Sequence, residues 1–350
     1  MTKKTILLTG ATGYIGRMLL KDIVHTCKWD IGCLILPVRN IEKAESIFKE
    51  ELKVPEVDVM FCKGMVRDWN SKNIPQSIDY IIHCACPTKS KEMLYKPVEV
   101  ADSIVQGTRN ILELAVQKQV ESMVYLSSME VYGDIDCNDG RYVSEKELGN
   151  IDIDSSRSCY PLGKRMAEHY CHIFHKEYHV PVKIARLSQA FGWGVPLDDS
   201  RIFAQIARAV MEDRDIILHT KGLSMGNYCE ITDTIKAIWM ILKEGKNGEA
   251  YNIVNEANTM RIRDMAQLVA ERIAHGRIQV RYDIREKNIY GYAAETGLRL
   301  SSTKLKALGW APSKAIEEMY RDVIRWYDQN NPRDVEAANF SVSMDEKSFR

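Results

Sequence analysis

The chain has 350 residues, 45% of them hydrophobic and 27% charged, which is ordinary globular composition and enough length for one large unit or two intimately joined ones. Its 48 basic and 48 acidic residues cancel without any long block of one sign, so no nucleic-acid partner is expected. No apolar run approaches the ~20 residues of a membrane span, and Gly10 arrives too soon for a secretory leader, so a cytoplasmic protein with no membrane partner is expected.

In chain order, residues 5–9 are a short apolar run ending in glycine, and an amphipathic stretch follows to about residue 27. This reads as strand, tight turn, helix. In the turn, Gly10, Gly13 and Gly16 recur every third residue, with Tyr14 and Ile15 before the last. A turn without side chains lets backbone approach a pyrophosphate, and a helix N-terminus offers free N–H groups and a favourable dipole to its oxygens. Gly10, Gly13, Tyr14, Ile15 and Gly16 are therefore candidate dinucleotide-binding residues. Residues 31–38 read as a second, buried strand. An acidic side chain at its end would suit the ribose hydroxyls of NAD, but here Val38 is followed by Arg39, with Lys43 nearby. A cation suits a 2′-phosphate, so the cofactor is expected to be NAD(P), with NADP(H) favoured by Arg39.

The alternation continues with a helix at 41–51, strands at 57–62 and 80–84, a helix at 98–119 and a strand at 122–126. Such a series implies right-handed crossovers and a parallel sheet covered on both faces, an α/β doubly wound, Rossmann-like fold. A strand at 182–186 would complete the sheet. The expected division is a dinucleotide-binding domain over 1–186, a mainly substrate-binding and smaller part over 187–330, interleaved with the first, and a loosely held tail over 331–350. The nine cysteines show no metal-type spacing and read as reduced, mostly buried thiols; Cys84 and Cys86, as alternate strand residues, would share a face.

Two further groups carry chemistry. The strand at 122–126 runs on into serines at the carboxyl edge of the expected sheet, where ligands of such sheets bind, which makes Ser128 a candidate. Tyr160 and Lys164 stand four apart on a helix that Pro161 opens, so both lie on one face. A nearby ammonium favours the phenolate, making Tyr160 a workable acid or base. On the same helix His169, His172, His175 and His179 recur every three or four residues, a polar stripe rather than a metal site.

The glycine turn, the Ser128 strand end and the Tyr160/Lys164 pair, in that order, resemble the extended short-chain dehydrogenase/reductase family, in its NAD-dependent epimerase/dehydratase group of nucleotide-sugar epimerases, dehydratases and decarboxylases. The likeness runs to about Trp326. Residues 79–85 look like the family's fourth strand, 107–113 like the helix after it, and 308–312 like its C-terminal signature. The resemblance implies that Ser128 and Tyr160 contact the reacting sugar hydroxyl, that Lys164 binds the nicotinamide ribose, that Ala85 lies by the cofactor, and that hydride moves between sugar C4 and cofactor. It also implies a homodimer through the helices at 98–119 and 160–178. Epimerisation, dehydration and decarboxylation share the first step and stay open. An NADPH-dependent reductase of a keto-sugar or other ketone is the alternative. A non-catalytic dinucleotide sensor would need none of Ser128, Tyr160 and Lys164.

The sequence departs from the family at several positions. Ile104 stands at the place of an active-site asparagine, Gln189 at that of an asparagine that meets the nucleotide diphosphate, and Gly226 at that of a diphosphate-binding arginine. Arg201, Lys221 and Arg299 are candidates for replacement charge, and Gln189 for substrate contact. Where many dehydratases carry an Asp-Glu pair, this chain has Met129 and Glu130. Met129 has no proton to give, which leaves Glu130 as a candidate general base.

Overall fold

The computed structural model describes residues 3–26, 30–51, 57–68, 74, 77–135, 137, 139–284 and 295–330. The expected tail over 331–350 lies outside the described residues. The first half alternates β1 (Lys4–Thr9), α1 (Tyr14–Thr26), β2 (Ile31–Val38), α2 (Ile41–Glu51), β3 (Asp58–Lys63), β4 (Tyr80–His83), α3 (Ser90–Tyr95), α4 (Pro97–Lys118), β5 (Ser122–Ser128), α5 (Cys159–Tyr178) and β6 (Val182–Leu187). After it come β7 (Gln189–Phe191), α6 (Ile202–Met211), β8 (Ile216–Leu218), β9 (Met225–Glu230), α7 (Ile231–Glu244), β10 (Ala250–Ile253), β11 (Asn255–Arg261), α8 (Ile262–Leu268), β12 (Val280–Tyr282), α9 (Thr303–Lys306) and α10 (Ile316–Asn330).

The main sheet has seven strands in the order β3-β2-β1-β4-β5-β6-β10, and every pairing in it is parallel. Strands buried on both faces need apolar residues without alternation, and β5 is of this kind, with its first six residues buried. One face is covered by α1, α2 and α7 through Leu19, Phe48 and Ile238, the other by α4 and α5 through Ile104, Ile111 and Ala167. The fold is thus the doubly wound, Rossmann-like arrangement.

Two expectations are corrected here. Strand β6 does not complete the sheet: β10, drawn from far along the chain, pairs with it from Ala250 opposite Ile184 to Ile253 opposite Leu187. Strand β4 ends at His83, so Cys84 and Cys86 lie beyond it on an irregular segment, where no strand alternation sets their direction. Of the described cysteines only Cys137, Cys171 and Cys229 are fully buried.

The remaining strands form a three-stranded sheet, β11-β9-β7, and a two-stranded one, β12-β8. An aromatic group lies within their core. Phe191 stacks on Phe203 at 4.6 Å, with Tyr228 and Tyr320 edge-on at 5.8 and 5.2 Å.

Candidate active site

The glycine turn is shaped by backbone crowding. Gly10 has φ +70°, and a Cβ there would lie 2.8 Å from the Ala85 nitrogen. A Cβ on Gly16 would lie 2.3 Å from the Gly10 carbonyl oxygen, and the Gly13 N–H donates to that same oxygen at 2.9 Å. Only glycine fits such a cradle, which leaves the opening of α1 bare toward an anionic ligand. The facing segment is fixed by a hydrogen-bonded chain. The Ala85 N–H donates to Thr9 Oγ1 at 3.0 Å, Thr9 Oγ1 meets His83 Nδ1 at 2.7 Å, and His83 Nε2 meets Thr108 Oγ1 at 3.3 Å. Burial pushes the His83 imidazole down to about 3, so it sits there neutral. Tyr14 donates its hydroxyl to the Trp193 carbonyl at 3.1 Å, while Ile15 packs on the core. Arg39 is exposed just past β2.

Ser128, Tyr160 and Lys164 come together at the carboxyl end of β5. The Ser128 hydroxyl accepts the Glu130 N–H at 3.2 Å, capping the short turn Met129–Tyr132, and lies near enough to the Tyr160 phenol to favour its ionised form. Lys164, 3% exposed, donates to the Leu126 carbonyl at 2.7 Å. Its ammonium lies 4.7 Å from the centre of the Tyr125 ring and 5.9 Å from that of Tyr160. The sequence led us to expect a phenol lowered by Lys164. Instead burial holds Tyr160 well above the ordinary tyrosine range, with Cys86 and Glu130 adding to it, and the cation that opposes this is Arg157.

Arg157 was not picked out from sequence. Its guanidinium grips Glu130 with two contacts, of 2.9 and 3.0 Å, and lies 6.0 Å from the Tyr160 ring centre. Both partners are largely sheltered, at 15% and 31% side-chain exposure, so the fork-to-carboxylate geometry fixes Glu130 beside the phenol. The only sequence signal was an arginine three residues before Tyr160, and nothing local ties it to a carboxylate on another element.

The expected substrate residues divide. Gln189, half-buried, opens β7 opposite Tyr228, directly after Ser188, whose buried hydroxyl has no hydrogen-bond partner among the described residues. Arg299 lies on a segment brought against the chain that follows Ser128. Its carbonyl accepts the Val143 N–H at 2.7 Å, and the buried Asn227 side chain clamps both flanks through Leu298 at 2.8 Å and Leu300 at 2.9 Å. Leu298 and Leu300 pack with Val131 and Tyr132. Arg201 is engaged by Asp199 at 2.5 Å and lies over Phe203, and Lys221 is exposed. Neither joins Ser128 and Tyr160 by any contact among the described residues.

Two departures from the family pattern have packing causes. A Cβ at Gly226 would fall 2.2 Å from the hydroxyl of Tyr228, whose ring fills the place of any side chain there. Ile104 is buried on α4, and its Cδ1 lies 3.3 Å from where a Cβ on Gly163 would be, so the two helices approach closely through an apolar contact.

Residues 6–254 match the sequence model of the NAD dependent epimerase/dehydratase family. A dTDP-D-glucose 4,6-dehydratase of Bos taurus is 25% identical over 337 residues, covering 93% of this chain and 89% of that protein. UDP-glucuronic acid decarboxylase 6 of Arabidopsis thaliana is 26% identical over 317 residues, covering 89% and 85% respectively. Among solved structures, the UDP-glucuronic acid 4-epimerase of Bacillus cereus, in complex with UDP-glucuronic acid and NAD, superposes with a TM-score of 0.76 at 21% identity, over 93% of this chain and 99% of that one.

Proposed function

The chain belongs to the NAD dependent epimerase/dehydratase family of extended short-chain dehydrogenase/reductases, and from that premise we propose that it oxidises a nucleotide-activated sugar at C4 as the first step of an epimerisation, dehydration or decarboxylation. The observation that carries the reading is the convergence of the buried Tyr160 phenol, Ser128 and Lys164 on the sheet edge that also presents the glycine cradle.

The turn suits a dinucleotide, since Gly10 and Gly16 pack backbone directly on backbone and so hold a side-chain-free loop at the opening of α1. Gly10, Gly13 and Gly16 would hold the pyrophosphate, Ala85 would line the cofactor, and Lys164, anchored on Leu126, would hold ribose hydroxyls. When bound, the nicotinamide supplies the hydrogen acceptor. Tyr160, once ionised by the positive charge of Arg157, Lys164 and the oxidised nicotinamide beside it, would take the sugar hydroxyl's proton, and Ser128 would hold that oxygen in place. Glu130, aligned by Arg157, then serves as the base for a second proton. We assign the nucleotide diphosphate to the neighbourhood of Gln189 and Arg299, and the substrate-binding part to 187–330, with β10 excepted because it belongs to the main sheet.

For the cofactor we propose NAD, the dinucleotide of the Bacillus cereus epimerase complex, with Arg39 as the group through which NADP would compete. We further propose a homodimer through α4 and α5, which leave Val98 72%, Tyr178 51% and Met166 40% exposed.

The deciding experiment is mass spectrometry of products after incubation with UDP-, dTDP-, GDP- and CDP-sugars, keto-sugars included, with NAD⁺ and with NADPH separately. Loss of water, loss of carbon dioxide or an unchanged mass with altered retention identifies dehydratase, decarboxylase or epimerase. A gain of two hydrogens with net NADPH consumption would replace this reading with a reductase.

A further inference from the structure

The amino-terminal edge of the main sheet, opposite to the edge that carries Ser128, holds a cavity of 180 Å³ lined by Tyr80, Glu121, Ser122, Lys183, Leu242 and Lys243. Lys183 is 4% exposed. Its Nζ donates to Ser122 Oγ at 2.7 Å and approaches the Leu242 carbonyl at 3.4 Å, and the Ser122 hydroxyl itself donates to Leu242 at 2.6 Å. Both neighbours are neutral oxygens. The carboxylate on the cavity wall, Glu121, is engaged by Lys4, and the second ammonium there, Lys243, reaches out to Glu244 at 3.8 Å. An ammonium carries three N–H donors, and here two of them meet neutral acceptors, one close and one long, on a side chain that lines the cavity.

We propose that Lys183 is a covalent modification site, a cavity-lining amine that takes an acyl group from a small acyl phosphate. Burial alone pushes this lysine down to about 8, which puts a nucleophilic free amine within reach of neutral pH. In the reaction the nitrogen lone pair attacks the carbonyl carbon and a C–N bond forms. The C–O bond to phosphate breaks with its electron pair, inorganic phosphate leaves, and the surplus proton on nitrogen passes to water. The amide N–H that results keeps the bond to Ser122, and the cavity has room for an acetyl group. Nothing in this step draws on Tyr160 or a dinucleotide, so it stands or falls apart from the proposed reaction.

The test treats the full-length protein with acetyl phosphate across neutral to alkaline pH and follows each lysine by peptide mass spectrometry. The expected result is acetylation of Lys183 about ten-fold faster than of exposed Lys243 at neutral pH, with a rate that levels off above about 8 rather than climbing toward the 10.4 of solvated lysine. In concentrated urea the advantage should vanish, because it comes from the cavity. Ser122→Ala, which removes the one close acceptor of the ammonium, should raise Lys183 reactivity further. Equal or slower acetylation of Lys183 in the folded protein, or an advantage that survives urea, would overturn the proposal.

Discussion

Tyr160 is where the chemistry of this site is most constrained. A phenol at 7% exposure, raised by burial, gives up its proton only when positive charge gathers beside it, and Arg157 is the cation that already acts on it. Tyr160→Phe keeps the ring and removes the proton, so turnover should fall by about 10²–10⁴-fold while dinucleotide affinity, read by fluorescence titration, stays near that of the unchanged chain. Turnover close to the original would remove Tyr160 from the mechanism. Gly10→Ala should do the reverse of sparing the cofactor. Its Cβ meets the Ala85 backbone at 2.8 Å, and φ +70° costs a non-glycine residue about 1–2 kcal/mol, so both dinucleotide binding and melting temperature should drop. Four-residue spacing on a helix made the shared face of Tyr160 and Lys164 legible in the sequence. The Glu130–Arg157 pair was not, because its members sit on separate elements and only the turn at Met129–Tyr132 brings them into register.

At the scale of elements, His83 ties β1, β4 and α4 together through Thr9 and Thr108. Its folded-state value, about 3, lies below the reference of 6.5. Between those values the unfolded chain binds a proton that the folded one refuses, so this residue makes stability rise with pH across that window. Stability should be fully present above the reference value and be lost as pH falls toward the lower one, at up to about 1.4 kcal/mol per pH unit. His83→Asn, which cannot titrate, should flatten the acid limb of a melting-temperature profile; an unchanged slope would show that other groups govern it. The first elements of the chain were readable because parallel strands are continuous apolar runs with glycine and polar punctuation between them, as β2 and α2 illustrate. The three-residue strands β7, β8 and β12 were not, since so short a run has no period and its pairing is set by distant partners.

The molecule as a whole is more interwoven than a boundary after residue 186 suggests, and β10 shows why. Its sequence, Ala250 to Ile253, is short and carries Asn252 in its middle, so it does not read as a buried strand. That asparagine is wholly buried because it completes a polar network. It accepts the Tyr132 hydroxyl at 2.7 Å, Tyr132 accepts from Arg186 at 3.0 Å, and Arg186 holds Glu168 at 2.7 Å. Helix α7 meanwhile lays Ile235, Ile238 and Ile241 in the same apolar cluster as Val124, Leu126 and Ala185, and α10 reaches back so that Lys21 of α1 lies 5.2 and 5.3 Å from the rings of Trp193 and Trp326. A fragment stopped at residue 186 would lose the share of one sheet face that α7 covers, the edge partner of β6 and the acceptor for Tyr132. Exposed apolar sheet and an unpaired edge favour aggregation, and a half-satisfied buried network costs more than none. We therefore expect the 1–186 fragment to aggregate, or to bind a hydrophobic dye without near-UV dichroism, whereas the full chain should melt in one transition. A soluble fragment with a cooperative melt would show instead that the first six strands are a folding unit on their own, and that β10 and α7 serve the site rather than the fold.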